Sequence, residues 1–235
     1  MLGAFRPGEG ALRNADIAAR VGLPKATVSR LTCSLWKAGY LEYDQRSGDY
    51  ALAGKVLTLG FTVLSNQRIL PAAHEQMRRL ANQSGCTVSL ATPDGHAMIY
   101  LDRCTGETMP YFLGIGSATE MVRTAGGRAY IAGLSDASRR ELYARLASLY
   151  TDEWRALLPA LEAACDQVRT RGFCLVDEEW RRDTRAIAAP LVSRSGDSVL
   201  SINCACPGHF LSASRLVRVW GPRLDHLAKS LSLQF

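Results

Sequence analysis

The chain has 235 residues, 47% apolar and 21% charged, enough to bury a core and unlike a disordered tail. Its longest apolar run, near Val56-Leu57-Thr58-Leu59-Gly60-Phe61, falls far short of the roughly 18 to 20 residues that cross a bilayer, and the opening MLGAFRPGEG lacks the basic and apolar regions of a secretory signal. A cytoplasmic protein of one or two domains with no membrane partner is expected, and the net charge of +6 fits an anionic partner.

From Arg20 to Leu41 the chain carries Arg20, Lys25, Arg30 and Lys37 and no acid, a stronger nucleic-acid signal than the whole-chain charge. Asn14 ahead of ADIAARV is a candidate N-cap and Gly22 a C-terminal stop, predicting a short helix over about Ala15 to Val21. Pro24 suits the first turn of a second helix that stops at Gly39. Within it Val28, Leu31 and Leu35 form an apolar face at i, i+3 and i+7, with Thr27, Arg30, Ser34 and Lys37 on another. Two helices joined by a glycine turn, the second basic on its free face, read as a helix-turn-helix whose second helix enters a DNA major groove. Tyr40 to Tyr43 and Tyr50 to Leu52 are strands around the turn DQRSGD, a hairpin that would form the wing of a winged helix with Arg46 near its tip.

Val56 to Ser84 is mainly helical in pattern, broken by Pro71 and stopped by Gly85, and can link two domains. CTVSLATPDGHAMIYLD is a hairpin around Pro93-Asp94-Gly95. Helices are predicted over about Ala125 to Leu134, Ser135 to Leu146 with Ser135 as cap, and Asp152 to Arg171 ended by Gly172. FCLVDEE, AIAAPLVSRSGD and SVLSINCAC supply strands, and a long helix from about Ser212 to Leu231 closes the chain, kinked at Pro222.

Enzyme motifs are missing at each place they could begin. His74-Glu75 has Arg78, not a second histidine, at i+4; Gly114-Ile115-Gly116-Ser117 does not complete a dinucleotide fingerprint; no phosphate loop or nucleophile elbow occurs. No cofactor or metal is implied, since the seven cysteines have no C-x-x-C spacing and read as reduced thiols packed as small hydrophobes. Cys204 and Cys206 would share one face of a strand, which leaves open a redox role. Asp177-Glu178-Glu179 could serve acid-base chemistry, but an acidic loop is the commoner explanation.

The stretches DIAARVGLPKATVSRL, LWKAGYLEYD, DYALAGKVLTLG, TAGGRAYIAGL, RTRGFCLVDEEW and RAIAAPLVSRSGDSVLSINCACP together resemble, in order and over almost the whole chain, the IclR-type transcriptional regulators. The resemblance implies an α+β chain: a winged helix-turn-helix over 1–55, a linker helix region over 56–84, and a GAF-like effector-binding domain with a mixed or antiparallel sheet over 85–235. It also implies dimers or tetramers. Carried over onto this sequence, Lys25, Thr27, Ser29 and Arg30 lie nearest double-stranded DNA, Lys25 on phosphate and Arg30 on a guanine edge or a phosphate. The wing adds Arg46. The effector pocket takes Ala125 and Gly126, whose N–H groups open a helix and suit a carboxylate, with Asp177, Thr184, Ala186, Asn203 and Ala205 facing them. A small organic or aromatic acid is the expected ligand.

The chain departs from the family pattern in three places. Only MLGAF stands where members usually have a longer first helix, with Leu2 and Phe5 as its last buried residues; Glu120 stands where many have proline; and Cys204 and Cys206 replace small or hydroxyl residues. Two alternatives to a ligand-responsive regulator therefore stay open. One is a ligand-binding or dimerising module without DNA binding, the other a GAF-fold thiol enzyme using Cys204 or Cys206.

Overall fold

In the computed structural model, which describes residues 1–106 and 113–235, the chain divides into two compact units, Met1–Gln67 and Arg68–Phe235. The first unit is built on α1 (Asn14–Val21) and α2 (Lys25–Lys37), joined by a turn in which Gly22 adopts φ 66 and donates its N–H to the Ala18 carbonyl. That left-handed backbone is open to glycine at little cost, so the turn is written into position 22. Ile17, Ala18 and Val28 bury their side chains against Leu12 and against Ala4, which a short 3-10 turn, Leu2–Ala4, brings onto the helices. Strands β1 (Leu12–Arg13), β2 (Leu41–Asp44) and β3 (Asp49–Leu52) form an antiparallel sheet in the order β1-β3-β2, with the β2–β3 hairpin as the wing. Helix α3 (Lys55–Ser65) ends this unit.

Three local expectations need correcting here. The N-cap of α1 is Arg13, whose N–H is accepted by Asp16, while Asn14 sits inside the first turn and donates to Ser29 Oγ at 2.8 Å. The buried residues of α2 are Val28 and Thr32, with Leu31 39% exposed. Thr32 can be buried because its hydroxyl donates to the Val28 carbonyl at 3.0 Å, so burial strands no polar group. Pro71 does not break a helix: it lies in the first turn of α4 (Leu70–Ser84), where its missing N–H is harmless, and the break falls before it.

The second unit is a six-stranded antiparallel sheet between two helical layers. Its strands are β4 (Thr87–Asp94), β5 (Ala97–Cys104), β6 (Ala118–Glu120), β7 (Cys174–Asp177), β8 (Thr184–Val192) and β9 (Val199–Pro207), in the order β6-β5-β4-β9-β8-β7. On one face pack α5 (Ala125–Gly133), α6 (Asp136–Leu149) and α7 (Trp154–Arg171), burying Ile131, Leu146 and Leu161 with Met98 and Met121, and Ala125, Ala129 and Ala164 with Cys174 and Ala188. On the other lie α4 and the C-terminal helical run, whose apolar stripes include Met77, Leu80, Leu224 and Leu227. That run is α8 (Ala213–Arg215), a π-helical stretch Leu216–Trp220 and α9 (Gly221–Ser232). Pro222 therefore opens α9 behind a π turn, which accommodates the residue that has no N–H to give. The first hairpin turns at Gly95-His96, since Asp94 pairs with Ala97 in register, two residues later than its Pro-Asp-Gly signal suggests.

Candidate functional site

In the N-terminal unit, α2 carries the sequence-predicted DNA residues on its accessible surface. Lys25, Ser29 and Arg30 are exposed and Thr27 is half-buried. At 100° per residue, Arg30, Ser34 and Lys37 stand opposite the buried seam of Val28 and Thr32, while Lys25 and Ser29 flank it on one side and Thr27 on the other. Ser29 is thereby close enough to α1 to accept from Asn14, which fixes its hydroxyl. Among the described residues no carboxylate lies within ion-pair distance of Lys25, Arg30 or Lys37, so their charge is not neutralised within the unit. Arg20 is different: it turns inward to Glu9 and donates to the Ala4 carbonyl, a fold-holding role. Arg46 is exposed at the hairpin turn, where its N–H is held by the Asp44 carboxylate at 2.9 Å.

In the C-terminal unit a cavity of about 30 Å³ lies between the sheet and the N-terminus of α5. Thr124 caps the helix, its hydroxyl accepting from Gly127 N at 3.3 Å, and its carbonyl accepts from Arg128 N. The N–H groups of Ala125 and Gly126, which line the cavity, have no acceptor within the helix. The turn that follows β6 folds back closely on α5 because position 127 has no side chain: a Cβ there would stand 2.0 Å from the Met121 carbonyl oxygen. Opposite the helix, β9 presents Asn203 and Ala205, and β8 presents Thr184 and Ala186. Asn203 Oδ1 is buried without a protein partner among the described residues, as is Ser201 Oγ, which lies 3.3 Å from where a Cβ on Gly126 would be.

Six of the seven sequence-derived pocket residues thus line one cavity. The seventh, Asp177, does not. Side chains alternate along a strand, so with Val176 facing the cavity Asp177 faces away, where its carboxylate pairs with Arg185. Its neighbours in the acidic loop are also neutralised: Glu178 pairs with Arg185 at 3.1 Å and Glu179 with Arg128 at 2.7 Å. Sequence reading missed seven further lining residues, Met98, Tyr100, Thr119 and Trp180 among them. Strand alternation could have found Tyr100 with Met98, but nothing local marks Trp180. Among the described residues no acid, base, thiol or cation lines the cavity, which offers hydrogen bonds, aromatic surface and the positive end of a helix dipole.

The cysteines lie elsewhere. Cys204 and Cys206 alternate with Asn203 and Ala205 and so occupy the opposite face of the sheet, beside Cys86. The neighbouring Cys86 thiol and burial push both above the ordinary range. A thiol enzyme using Cys204 or Cys206 needs an accessible thiol of lowered pKa, and these two are buried and raised, so that expectation is overturned.

The family model described as the bacterial transcriptional regulator IclR C-terminal domain matches residues 61–233, and that for the IclR helix-turn-helix domain matches residues 1–45. The match over 1–45 supports the DNA-binding regulator over the alternative of a ligand-binding or dimerising module without DNA binding. The Pca regulon regulatory protein of Pseudomonas putida is 33% identical, over 100% of this chain and 81% of that protein. The crystal structure of an IclR family transcriptional regulator from Brucella abortus superposes with a TM-score of 0.91 at 35% identity, covering 100% of this chain and 89% of that one. An IclR homolog from Microbacterium hydrocarbonoxydans, solved in complex with 4-hydroxybenzoate, shares the fold with a TM-score of 0.72 at 17% identity, covering 98% of this chain and 94% of that one.

Proposed function

The chain belongs to the IclR family of bacterial transcriptional regulators, and from that premise we propose that a small organic or aromatic acid, bound at the N-terminus of α5, sets its affinity for an operator. The observation that carries this reading is the pairing in one cavity of two free helix N–H groups with an unpartnered buried Asn203. The N–H groups of Ala125 and Gly126 receive the carboxylate, which the helix dipole also favours. Asn203 and Thr184 hydrogen-bond a hydroxyl or the second carboxylate oxygen, and Ala186 and Ala205 leave room for the body of the ligand. Among the described residues Tyr100 is the one titratable group on the wall, which suits a binding cavity. The bound acid of the Microbacterium hydrocarbonoxydans homolog makes 4-hydroxybenzoate the first probe.

On DNA, Lys25, Thr27, Ser29 and Arg30 take the major groove and its phosphates, and Arg46 reaches the flanking backbone. Residues 1–55 form the reading head, 85–235 the sensor, and the helical stretch 56–84 connects them inside the cytoplasm. Helix α3 supports self-association: it buries no residue, and Leu57 and Phe61, one turn apart on the same face, are 77% and 71% exposed. A second copy covering that stripe makes a dimer or a pair of dimers. The acid then favours one arrangement of the oligomer, and with it one spacing of two winged helices on a pseudo-palindromic operator. Isothermal titration of the full chain with 4-hydroxybenzoate and with a panel of aliphatic acids tests the site. Binding lost in Asn203→Leu is the expected result, and binding unaffected by that change would place the effector elsewhere.

A further inference from the structure

Organic ligands occupy pockets of about 300 to 1,000 Å³, and a cavity of about 30 Å³ holds on the order of two water molecules. An acid with a ring enters only if a wall moves. Among the described residues most of the wall is core. Ala91, Asn203 and Ala205 lie on strands paired on both sides, and the start of α5 is pinned by the close approach of Gly127 to Met121. Trp180 differs. It is half-buried and belongs to residues 178–183, the loop from β7 to β8.

Among the described residues the feet of that loop are fixed and its tip is tied to α5 by one ion pair. At the feet, Arg185 holds the carboxylates of Asp177 and Glu178 and donates to the Gly208 and Leu211 carbonyls, and Glu178 N donates to the Thr184 carbonyl at 3.0 Å. Glu178 itself has φ 60, an uncommon left-handed backbone for a residue with a side chain. At the tip, Glu179 crosses to α5 and pairs with Arg128 Nη2 at 2.7 Å. The two ends of this pair are unequal. The Arg128 side chain is 5% exposed and its Nε donates to the Val122 carbonyl at 3.0 Å, whereas the Glu179 side chain is 46% exposed. The arginine is part of the frame, and the glutamate is the end that can leave.

We propose that Glu179 and Trp180 are a latched gate: the Glu179–Arg128 ion pair holds Trp180 across the cavity, and the effector enters and leaves when that pair parts. This rests on the cavity being the effector site, but the latch itself exists without ligand and is tested without it. Because the closed cavity is too small for a ring, the pair stays parted while such an acid is bound, so the latch opposes binding and its loss both speeds entry and tightens affinity.

The test uses the full chain labelled with 5-fluorotryptophan. Its four tryptophans give separate fluorine resonances, with that of Trp180 assigned by its loss in Trp180→Phe. In Glu179→Gln the Trp180 resonance alone is expected to shift and to gain solvent sensitivity. With 4-hydroxybenzoate as probe, association accelerates on the order of tenfold and Kd falls by a similar factor, while dissociation changes less than about threefold. Glu179→Asp keeps the charge, shortens the reach and serves as the second variant if the glutamine form is unstable. A Trp180 resonance identical to wild type in both folded variants overturns the latch. Release of Trp180 in a protein to which 4-hydroxybenzoate and the aliphatic acids fail to bind upholds the latch and overturns the effector reading.

Discussion

Adjacent glycines at the start of α5 give opposite expectations for the same substitution. In Gly127→Ala the new Cβ would stand 2.0 Å from the Met121 carbonyl oxygen and 2.4 Å from Met121 Cα, both backbone atoms that no rotamer change can clear. Helix and preceding turn must separate, which costs about 3 kcal/mol, at the upper end for overpacking. In a unit of this size each kcal/mol lowers Tm by roughly 2 to 4 °C, so a drop of roughly 6 to 12 °C is expected. In Gly126→Ala the nearest atom is Ser201 Oγ at 3.3 Å, a side chain that can rotate, and replacing a helical glycine by alanine gains up to about 1 kcal/mol. The net change in Tm is within about 4 °C of wild type. The same methyl group stands at the helix start where the carboxylate is received, and weakening one charge-assisted hydrogen bond of about 1.5 to 3 kcal/mol raises Kd on the order of ten- to a hundredfold. Differential scanning calorimetry and isothermal titration with 4-hydroxybenzoate read the two effects separately. A Gly127→Ala protein that melts like wild type would mean that α5 is not docked this closely, and a Gly126→Ala protein with wild-type affinity would remove the helix terminus from the site.

Four further outcomes can be checked. Asn203→Leu removes a buried unpartnered Oδ1, whose desolvation costs about 1 to 3 kcal/mol, so it raises Tm in calorimetry while abolishing acid binding; a fall in Tm would mean that Asn203 is a satisfied structural residue. Arg30→Ala loses about 1 to 3 kcal/mol of operator affinity in fluorescence anisotropy, with a change confined to specific duplex marking base readout and an equal loss on random duplex marking a phosphate contact. No loss on either would remove Arg30 from the interface. Phe61→Glu places a charge on the 71% exposed stripe of α3 and is expected to halve the sedimenting mass or less, whereas an unchanged oligomer would locate self-association elsewhere. With a disulfide reagent at pH 8, half-exposed Cys33 reacts first and Cys165, raised by burial, more slowly, while Cys204 and Cys206 stay inert until the protein unfolds. Fast native reaction of either of the last two would contradict their placement under the α4 and α9 layer.

What could be read from sequence follows the range of the physics involved. The turn at Gly22-Leu23-Pro24 and the alternation through β4 and β5 are local, and they put the helix-turn-helix and the first hairpin in place. The inward residue of α2 was harder, because Leu31 outranks Thr32 in hydrophobicity and only the Thr32 bond to the Val28 carbonyl makes its burial cheap. Strands β1 and β6 have two and three residues, too short for a period to register, and exist because β3 and β5 offer them an edge. Asp177 was misplaced by strand parity: the neighbouring Val176 faces the cavity, so Asp177 must face Arg185. The Cys86 contacts with Cys204 and Cys206 and the tie from Glu179 to Arg128 join residues far apart in sequence, and only the pairing of the sheet and the docking of α5 bring them together.

The central claim is that occupancy of the α5 cavity changes affinity for DNA. The most direct measurement is fluorescence anisotropy of an operator duplex selected with the full chain, titrated across a salt series with and without saturating 4-hydroxybenzoate, for wild type and Asn203→Leu. The account predicts sequence-selective, salt-dependent binding whose affinity the acid shifts by roughly five- to 150-fold in wild type and leaves unchanged in Asn203→Leu. Acid that binds the wild-type cavity yet leaves operator affinity the same would contradict it.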